Sequence, residues 1–135
     1  MKTNEKDKTI ACIMLICLLG FAISAVASEV MPCADTEFAS AYPSLYTSKS
    51  VRFSALTNTM KGSISVTECW LEVYMSGRWQ KVKDLTPPSK VAYNTTVYND
   101  TVSYVDKIGS GTFRVWATFN ADGHEITRCS NERTY

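Results

Sequence analysis

The chain has 135 residues, a formal net charge of +1, 45% hydrophobic residues and 20% charged residues. This length suits one domain with a short appendage. The near-zero charge excludes proteins that bind nucleic acid or a membrane surface through a strong positive field. With a single histidine there is little material for a catalytic centre, so we expect a protein without enzymatic activity or a cofactor.

Residues 1–27 have the pattern of a signal peptide. Three lysines lie among the first eight residues, and an uncharged apolar run from Ile10 to about Ile23 follows them. Small residues then precede Ser28, so we predict a signal helix that is cleaved between Ala27 and Ser28. The alternative is an uncleaved membrane anchor, because the run is at the lower limit of the length that spans a bilayer. Both readings predict a secreted or cell-surface protein.

Beyond the leader, residues 28–48 show no clear period and are predicted to form a lead-in segment. From residue 49 onward, short β-branched and aromatic runs alternate with turn residues, which is typical of strands. The first predicted strand is Val51–Leu56, whose core-facing residues are Val51, Phe53 and Ala55.

The second predicted strand is Ser63–Met75, in which the apolar parity changes along the run. This change of face predicts a β-bulge near Glu68–Trp70. Ser76-Gly77 then gives a two-residue hairpin signal, and Arg78–Leu85 is predicted to be the returning strand. Two prolines end it, because proline cannot donate to a β-ladder.

The rest of the chain continues the strand pattern. Thr95–Asp106 is predicted to be a strand, and Ile108–Gly111 a turn. Thr112–Asn120 has the cleanest alternation, and its core-facing residues are predicted to be Phe113, Val115, Ala117 and Phe119. A second hairpin turn then leads to the last predicted strand, His124–Tyr135. Six to seven short antiparallel strands in residues 49–135 predict an all-β domain with a β-sandwich fold, and a closed barrel is the alternative.

Two stretches resemble known families. Gly109–Ala117 resembles the turn and penultimate strand of fibronectin type III and related immunoglobulin-like modules. Leu71–Trp79 and Ser110–Val115 are similar to segments of a group of small secreted proteins from Gram-positive bacteria, which share a leader, a Gly-x-Trp hairpin and an aromatic-Arg-Val strand. The resemblance covers about Val51 to Tyr135. It implies an immunoglobulin-like fold and a bacterial origin, and it implies no particular activity.

Three cysteines remain after the leader, and export makes an oxidised pair plausible. In the strand order that the resemblance implies, Cys69 and Cys129 lie two strand spacings apart, roughly 9.6 Å. This exceeds the limit of about 7 Å between the Cα atoms of a disulfide. We therefore predict a Cys33–Cys129 bridge. The alternatives are a Cys33–Cys69 bridge, an intermolecular link and three free thiols.

An aromatic set gives the best candidate for a binding site. The alternation places Trp116 on the outer face of its strand, and Trp70 and Tyr74 on the outer face of the neighbouring strand. Such a row could stack on sugar rings or anchor a protein partner. The alternative is that these side chains cover one another as cross-strand pairs. His124 follows a turn and is expected to be an exposed surface residue, and no spacing predicts a metal site.

The sequence thus predicts a non-catalytic interaction module, with an unknown protein or glycan at the cell surface as its partner. The first alternative is a carbohydrate-binding module that uses Trp70, Tyr74 and Trp116. The second is a surface protein anchored by an uncleaved leader, which is the one way in which we expect the chain to contact a membrane. No nucleic-acid partner is expected.

Overall fold

A computed structural model of the chain describes residues 35–104 and 108–135, which contain strands and turns but no helix. The predictions for the leader, for cleavage between Ala27 and Ser28 and for the Cys33 bridge fall outside these residues. The strands of the described part are β1 (Phe38–Thr47), β2 (Ser50–Met75), β3 (Arg78–Leu85), β4 (Val91–Ser103), β5 (Thr112–Ala121), β6 (His124–Cys129) and β7 (Arg133–Thr134).

Strand β2 organises the sheet. It is 26 residues long and pairs with β1, β3, β4 and β5, while β6 and β7 both pair with β5. Every one of these pairs is antiparallel, so the described strands form an open antiparallel sheet of seven strands. This confirms the all-β fold class. The sequence predicted two separate strands where the structure has one continuous β2.

The two halves of β2 have different neighbours. Residues 50–57, the N-terminal half, lie between β1 and the second part of β4. Residues 63–75, the C-terminal half, have β5 on one edge and the start of β4 followed by β3 on the other. The two halves therefore present two separate surfaces, each built from a different set of strands.

A side chain from another strand holds the junction between these halves. The Asp122 carboxylate accepts the backbone N–H groups of Gly62 at 2.9 Å and Ser63 at 2.7 Å. A Cβ atom added to Gly62 would lie 3.1 Å from Asp122 Oδ1, so a side chain there would crowd the carboxylate. Asp122 belongs to the turn between β5 and β6, and it thereby ties this turn to the middle of β2.

The predicted bulge is present, slightly earlier in the chain than expected. The register between β2 and β5 shifts between Val66 and Glu68, which leaves Thr67 without a partner in that ladder. Because side chains alternate with a period of two, one extra residue moves the following apolar residues onto the core side. Leu71 and Val73 are buried for this reason.

Both predicted hairpin turns are present and have two residues each. Met75 pairs with Arg78 across Ser76-Gly77, and Ala121 pairs with His124 across Asp122-Gly123. All four turn residues have positive φ, from 51° to 91°. This is the type I′ geometry, whose twist matches that of the flanking strands.

The core contains the residues that the alternation placed inside. The largest fully buried side chains include Tyr98, Phe53, Phe119 and Ile64, and burying one such apolar side chain contributes about 1.5–3 kcal/mol. All four predicted core residues of β5 are buried. Thr118, predicted to point outward, is also buried. It lies directly opposite Thr127 of β6, and the two hydroxyl oxygens are 2.9 Å apart.

The observed strands differ from the predicted strands in two places, at β1 and after β6. Part of the predicted lead-in segment is strand β1, whose period is hidden by a register shift after Phe38 and by Pro43. Proline is tolerated there because β1 pairs with β2 alone and is an edge strand. The predicted last strand is divided into β6 and β7, because the Ser130 hydroxyl accepts the Val115 N–H at 2.8 Å in place of a backbone carbonyl.

Candidate functional site

The predicted aromatic residues come together on the C-terminal half of β2. Trp70 lies directly opposite Trp116 on β5, and the two indole rings are stacked with their centroids 5.9 Å apart and 10° between their planes. Tyr74 lies four residues after Trp70 on the same face of β2, opposite Trp79 of β3, with ring centroids 5.3 Å apart. The rings therefore form cross-strand pairs rather than one flat row.

A single carboxylate links this set of rings. Glu72 lies between Trp70 and Tyr74 on β2, on the same outer face. Its Oε2 accepts the Trp116 indole N–H at 2.9 Å and the Arg114 Nε–H at 2.6 Å, and its Oε1 accepts the Trp70 indole N–H at 3.4 Å. One acidic side chain thus satisfies both indole donors and the guanidinium, and fixes the orientation of all three.

Arg114 joins the two aromatic pairs. Its guanidinium carbon lies 4.2 Å from the centroid of the Trp79 ring and 5.4 Å from that of Trp116. A cation over an aromatic face is attracted by the ring quadrupole, with a contribution of about 0.5–1 kcal/mol at exposed sites. Arg114 therefore holds Trp79 and Trp116 in one cluster while it pairs with Glu72.

We call this surface the aromatic face; its members are Trp70, Glu72, Tyr74, Trp79, Lys81, Arg114 and Trp116. Lys81 is on β3, and its ammonium group lies 5.5 Å from the centroid of the Trp70 ring. Tyr74 is 49% exposed, and the other rings are partly buried. The two cations of the face form ion pairs within the protein, Arg114 with Glu72 and Lys81 with Asp84. The face therefore offers one open tyrosine and three partly exposed tryptophans to a partner.

The surroundings of Glu72 keep it ionised. Burial raises the pKa of this carboxyl, but the hydrogen bonds from Arg114 and Trp116 outweigh that effect and lower it below its usual value. The ionised form is the one that accepts all three donors. The cluster is therefore intact at neutral pH and loses strength only when acid protonates Glu72.

Sequence reasoning identified the rings but not the groups that connect them. The alternation places Glu72 between Trp70 and Tyr74, and it places Arg114 next to Trp116 on the outward face. An acid and a base that both point outward from neighbouring strands were therefore the signal that could have indicated an ion pair. The predicted aromatic set does not include Trp79. The hairpin register instead brings it opposite Tyr74 and beneath Arg114.

The two described cysteines lie on different sides of the sheet and are not bonded to each other. Cys69 is buried opposite Ala117, with its Sγ 3.6 Å from the Leu85 carbonyl oxygen, and burial raises the pKa of its thiol. Cys129 lies opposite Trp116, on the outer side of β6. The Cys33–Cys129 bridge stays a prediction, since Cys33 lies outside the described residues.

His124 is a structural contact rather than an isolated surface residue. Its side chain is 41% exposed, and its Nε2 lies 3.0 Å from Asp35 Oδ2. The imidazole also lies against the Phe38 ring, with centroids 6.1 Å apart. The pair connects the start of β6 to the residues that precede β1. No group of histidines, cysteines and acidic residues in 35–104 and 108–135 could hold a metal ion.

An apolar cavity of about 380 Å³ is lined by residues of β2, β3 and β5 and by residues between β4 and β5. Its lining includes the core residues Val51, Val73 and Phe113, together with Tyr104 and Ile108. The last two residues flank 105–107, which lie outside the described part of the chain.

The described residues contain no helix with the length and hydropathy needed to cross a bilayer. Comparisons with known proteins find nothing similar: no family model, no curated protein and no solved structure matches the chain.

Proposed function

We propose that the chain is exported and acts outside the cell as a non-catalytic interaction module, which binds a cell-surface protein through the aromatic face. The leader pattern of residues 1–27 supports export. The observation that carries the binding role is the Glu72 carboxylate, which holds two tryptophans and one arginine in fixed positions at a partly exposed surface.

We further infer that the strands form an immunoglobulin- or fibronectin III-like sandwich, with the two halves of β2 in opposite layers. Contacts of β1 with β5 and β6 support this arrangement, because β1 is not hydrogen-bonded to either strand. The ring contact between Phe38 and His124 is one of them. Such sandwiches commonly act as recognition modules, which agrees with the proposed role by analogy of fold alone.

The composition and rigidity of the aromatic face suit a protein partner. Tryptophan, tyrosine and arginine are the residue types enriched at the energetic centres of protein interfaces. Ordering flexible side chains on binding costs about 0.5–1.5 kcal/mol each, and a network that fixes them beforehand removes much of that cost. Glu72 and Arg114 provide such a network for Trp70, Trp79 and Trp116.

The same geometry gives less support to sugar stacking by Trp70 and Trp116. A sugar ring stacks on an open aromatic face, whereas one face of each indole here is occupied by the other. Lys81 lies over Trp70, and Arg114 lies near Trp116. Of the three residues in the carbohydrate hypothesis, only Tyr74 is largely exposed, and Trp70 and Trp116 are partly buried.

Binding through a sheet edge is also less supported than binding through a face. Two N–H groups of the long edge strand β4 are taken by nearby side chains, that of Val97 by Thr95 Oγ1 at 3.1 Å and that of Thr101 by Asp100 Oδ1 at 2.8 Å. On the edge strand β1, Pro43 has no N–H to offer. An added strand would have to displace these groups or forgo their hydrogen bonds.

Binding of the exported protein to intact cells of its source organism tests the proposal. We expect Tyr74→Ala and Trp79→Ala each to weaken binding at least about tenfold, the size of a loss of about 1.4 kcal/mol. Tyr93→Ala is the matched control, because Tyr93 is 68% exposed on β4, outside the aromatic face. Circular dichroism verifies that each variant is folded.

Treating the cells with protease distinguishes the classes of partner. The proposal expects protease to abolish binding, and excess soluble polysaccharide to leave it unchanged. Binding that survives protease, or that is lost equally in Tyr93→Ala and Tyr74→Ala, would show that the aromatic face does not recognise a surface protein.

A further inference from the structure

The outer surface of the N-terminal half of β2 carries a second feature, a shallow groove of about 690 Å³. It crosses three strands, and we call it the β1–β2–β4 groove. Its lining consists of Tyr42 and Ser44 on β1, Arg52 and Ser54 on β2, and Asn99, Asp100 and Thr101 on β4. None of these residues belongs to the aromatic face.

The shape of the groove follows from the strand register. Ser54 pairs with Tyr42 on one side and with Asn99 on the other, so the three side chains form one row across the sheet. The middle residue is small and 8% exposed, whereas Tyr42 is 51% exposed. A small residue between two taller ones makes a trough, and two strand spacings give it a width of about 10 Å.

The second row supplies a cation. Arg52 pairs with Ser44 and Thr101, and its guanidinium carbon lies 4.4 Å from the centroid of the Tyr46 ring. Among the described residues no carboxylate forms an ion pair with Arg52. Its N–H groups, of which guanidinium has five, are therefore available at the groove.

The other side chains of the groove supply uncharged donors and acceptors. Asn99 carries an amide, which offers both kinds of group, and Ser44 and Thr101 carry hydroxyls. Asp100 also borders the groove, but it pairs with the buried Phe53, so the strand alternation places its side chain on the core side of β4. The groove thus combines one open aromatic ring and one cation with uncharged hydrogen-bonding groups of both kinds.

We propose that the β1–β2–β4 groove binds a neutral oligosaccharide. A pyranose has an apolar C–H face, which packs against an aromatic ring, and hydroxyl groups that donate and accept hydrogen bonds. Tyr42 supplies the ring and Arg52 supplies donors, while the amide of Asn99 and the hydroxyls of Ser44 and Thr101 supply both donors and acceptors. Apart from Arg52, these groups are uncharged and of the kind that pairs with hydroxyls, so the groove suits an uncharged glycan.

This site goes beyond the proposed function and shares with it only the location outside the cell. It uses different residues on a different half of β2, so the two proposals succeed or fail separately. Since all three tryptophans lie on the aromatic face, their fluorescence does not report on the groove. The test therefore needs a direct measurement of binding.

Affinity electrophoresis of the exported chain provides that measurement, in native gels that contain soluble galactomannan, hydroxyethyl cellulose, glycogen or mixed-linkage β-glucan. Gels that contain polygalacturonate provide the charged comparison. We expect at least one neutral polysaccharide to retard the protein, and both Tyr42→Ala and Asn99→Ala to weaken that retardation at least tenfold. Tyr74→Ala and Tyr93→Ala are the matched controls and should leave it unchanged.

Four results would overturn the proposal. These are retardation by none of the neutral polysaccharides, stronger retardation by polygalacturonate, retardation that persists in both Tyr42→Ala and Asn99→Ala, and a loss caused by Tyr74→Ala. The last result would move glycan binding to the aromatic face. Normal retardation together with failed cell binding would instead count against the protein-binding role alone.

Discussion

The aromatic face and the β1–β2–β4 groove lie on the two halves of one strand, yet they use hydrogen-bonding groups in opposite ways. On the aromatic face, Glu72 accepts three donors from within the protein. In the groove, Arg52 has no ion-pair partner among the described residues, and the amide of Asn99 remains exposed. The difference arises from the neighbouring strands, because β5 supplies Trp116 and Arg114 whereas β1 and β4 supply serine, asparagine and threonine.

This contrast shows how two recognition surfaces can share one scaffold. A surface whose polar groups satisfy each other is rigid and presents mainly aromatic rings, which suits a partner of complementary shape. A surface whose donors and acceptors remain available suits a ligand rich in hydroxyl groups. Because β2 runs through both, the two surfaces depend on one core, and this dependence can be tested.

Removing a core phenylalanine from either half should have the largest effect. Phe53 is fully buried beneath the groove, and Phe119 is fully buried in β5. Replacing either by alanine should lower the free energy of unfolding by about 3–5 kcal/mol. Since Ala34–Tyr135 form one unit by their contacts, we expect one cooperative transition in both variants.

Urea unfolding followed by two signals checks this prediction. All three tryptophans lie on the aromatic face, so their fluorescence reports on the C-terminal half of β2 and its neighbours β3 and β5, while far-ultraviolet circular dichroism reports on the whole sheet. In Phe53→Ala, both midpoints should fall together. A fluorescence midpoint that stays at the wild-type value in Phe53→Ala would show that the halves unfold separately. The urea midpoint of Phe53→Leu should lie between those of Phe53→Ala and the wild type.

Removing the Glu72 carboxylate that links the aromatic face should have the next largest effect on the free energy of unfolding. Glu72→Ala leaves two indole N–H groups and the Arg114 guanidinium without their acceptor. Hydrogen bonds to charged groups contribute about 1.5–3 kcal/mol, so we expect a loss of about 2–3 kcal/mol in the free energy of unfolding. The near-ultraviolet circular dichroism of the stacked Trp70–Trp116 pair should also weaken.

Glu72→Gln is the control for this variant. Its amide oxygen can still accept an indole N–H, but the side chain has lost its charge, so the loss of stability should be smaller than in Glu72→Ala. An unchanged near-ultraviolet spectrum in Glu72→Ala would mean that ring packing alone orients the tryptophans. Binding to the groove should be unaffected in both variants, which separates the two surfaces.

Much of the region around the C-terminal half of β2, with its neighbours β3 and β5, could be predicted from the sequence. The period-two alternation in β5, the turn residues Ser76-Gly77 and the parity change within β2 are local signals. Each has one physical meaning, and the structure contains the corresponding strand, hairpin and bulge. The stacking of Trp70 on Trp116 was an open alternative, because a sequence specifies the face of a side chain but not the register between strands.

The N-terminal half was harder to predict, for identifiable reasons. Pro43 and a register shift hide the period of β1, so the sequence pattern predicts a lead-in segment where the structure has the strand that forms one side of the groove. The continuity of β2 depends on Asp122, a residue about 60 positions away from the junction that it holds. The groove was therefore not predictable, since it requires three strands whose order is set by long-range contacts.

The two hairpin turns offer a smaller test of how the junction is held. Both have type I′ geometry, in which asparagine is favoured at the first position. Ser76→Asn should therefore slightly raise the urea midpoint. The same residue in the other turn, Asp122→Asn, should lower it, because one of the two oxygens that accept the Gly62 and Ser63 N–H groups becomes an amide nitrogen.

Acid titration tests the hydrogen bonds of the Asp122 carboxylate in this second turn. The hydrogen bonds from Gly62 and Ser63 lower the pKa of Asp122 below its usual value. A lowered carboxyl pKa contributes stability above the unfolded-state value, and this contribution is lost as the pH falls through the folded-state value. The difference in stability between the wild type and Asp122→Asn should therefore become smaller in acid. If Asp122→Asn had no effect at neutral pH, the carboxylate would not hold the junction.

The smallest expected effect concerns Asp35 and His124, which connect the start of β1 to β6. The hydrogen bond with His124, opposed by burial and supported by the Phe38 and Glu37 N–H groups, lowers the pKa of Asp35 to about 2. The unfolded value is about 3.9, so this contribution to stability is complete above about pH 4 and is lost as the pH falls through about 2.

His124→Phe separates the hydrogen bond from the ring contact. A phenylalanine ring can still pack against Phe38 but cannot bond to Asp35, so the pKa of Asp35 should rise towards its usual value. The free energies of unfolding of wild type and variant should then differ at pH 5 and converge as the pH approaches 2. A difference that stays constant over this range would show that His124 stabilises the junction of β1 and β6 by packing alone, because a contribution from the Asp35 carboxylate must disappear when that group is protonated.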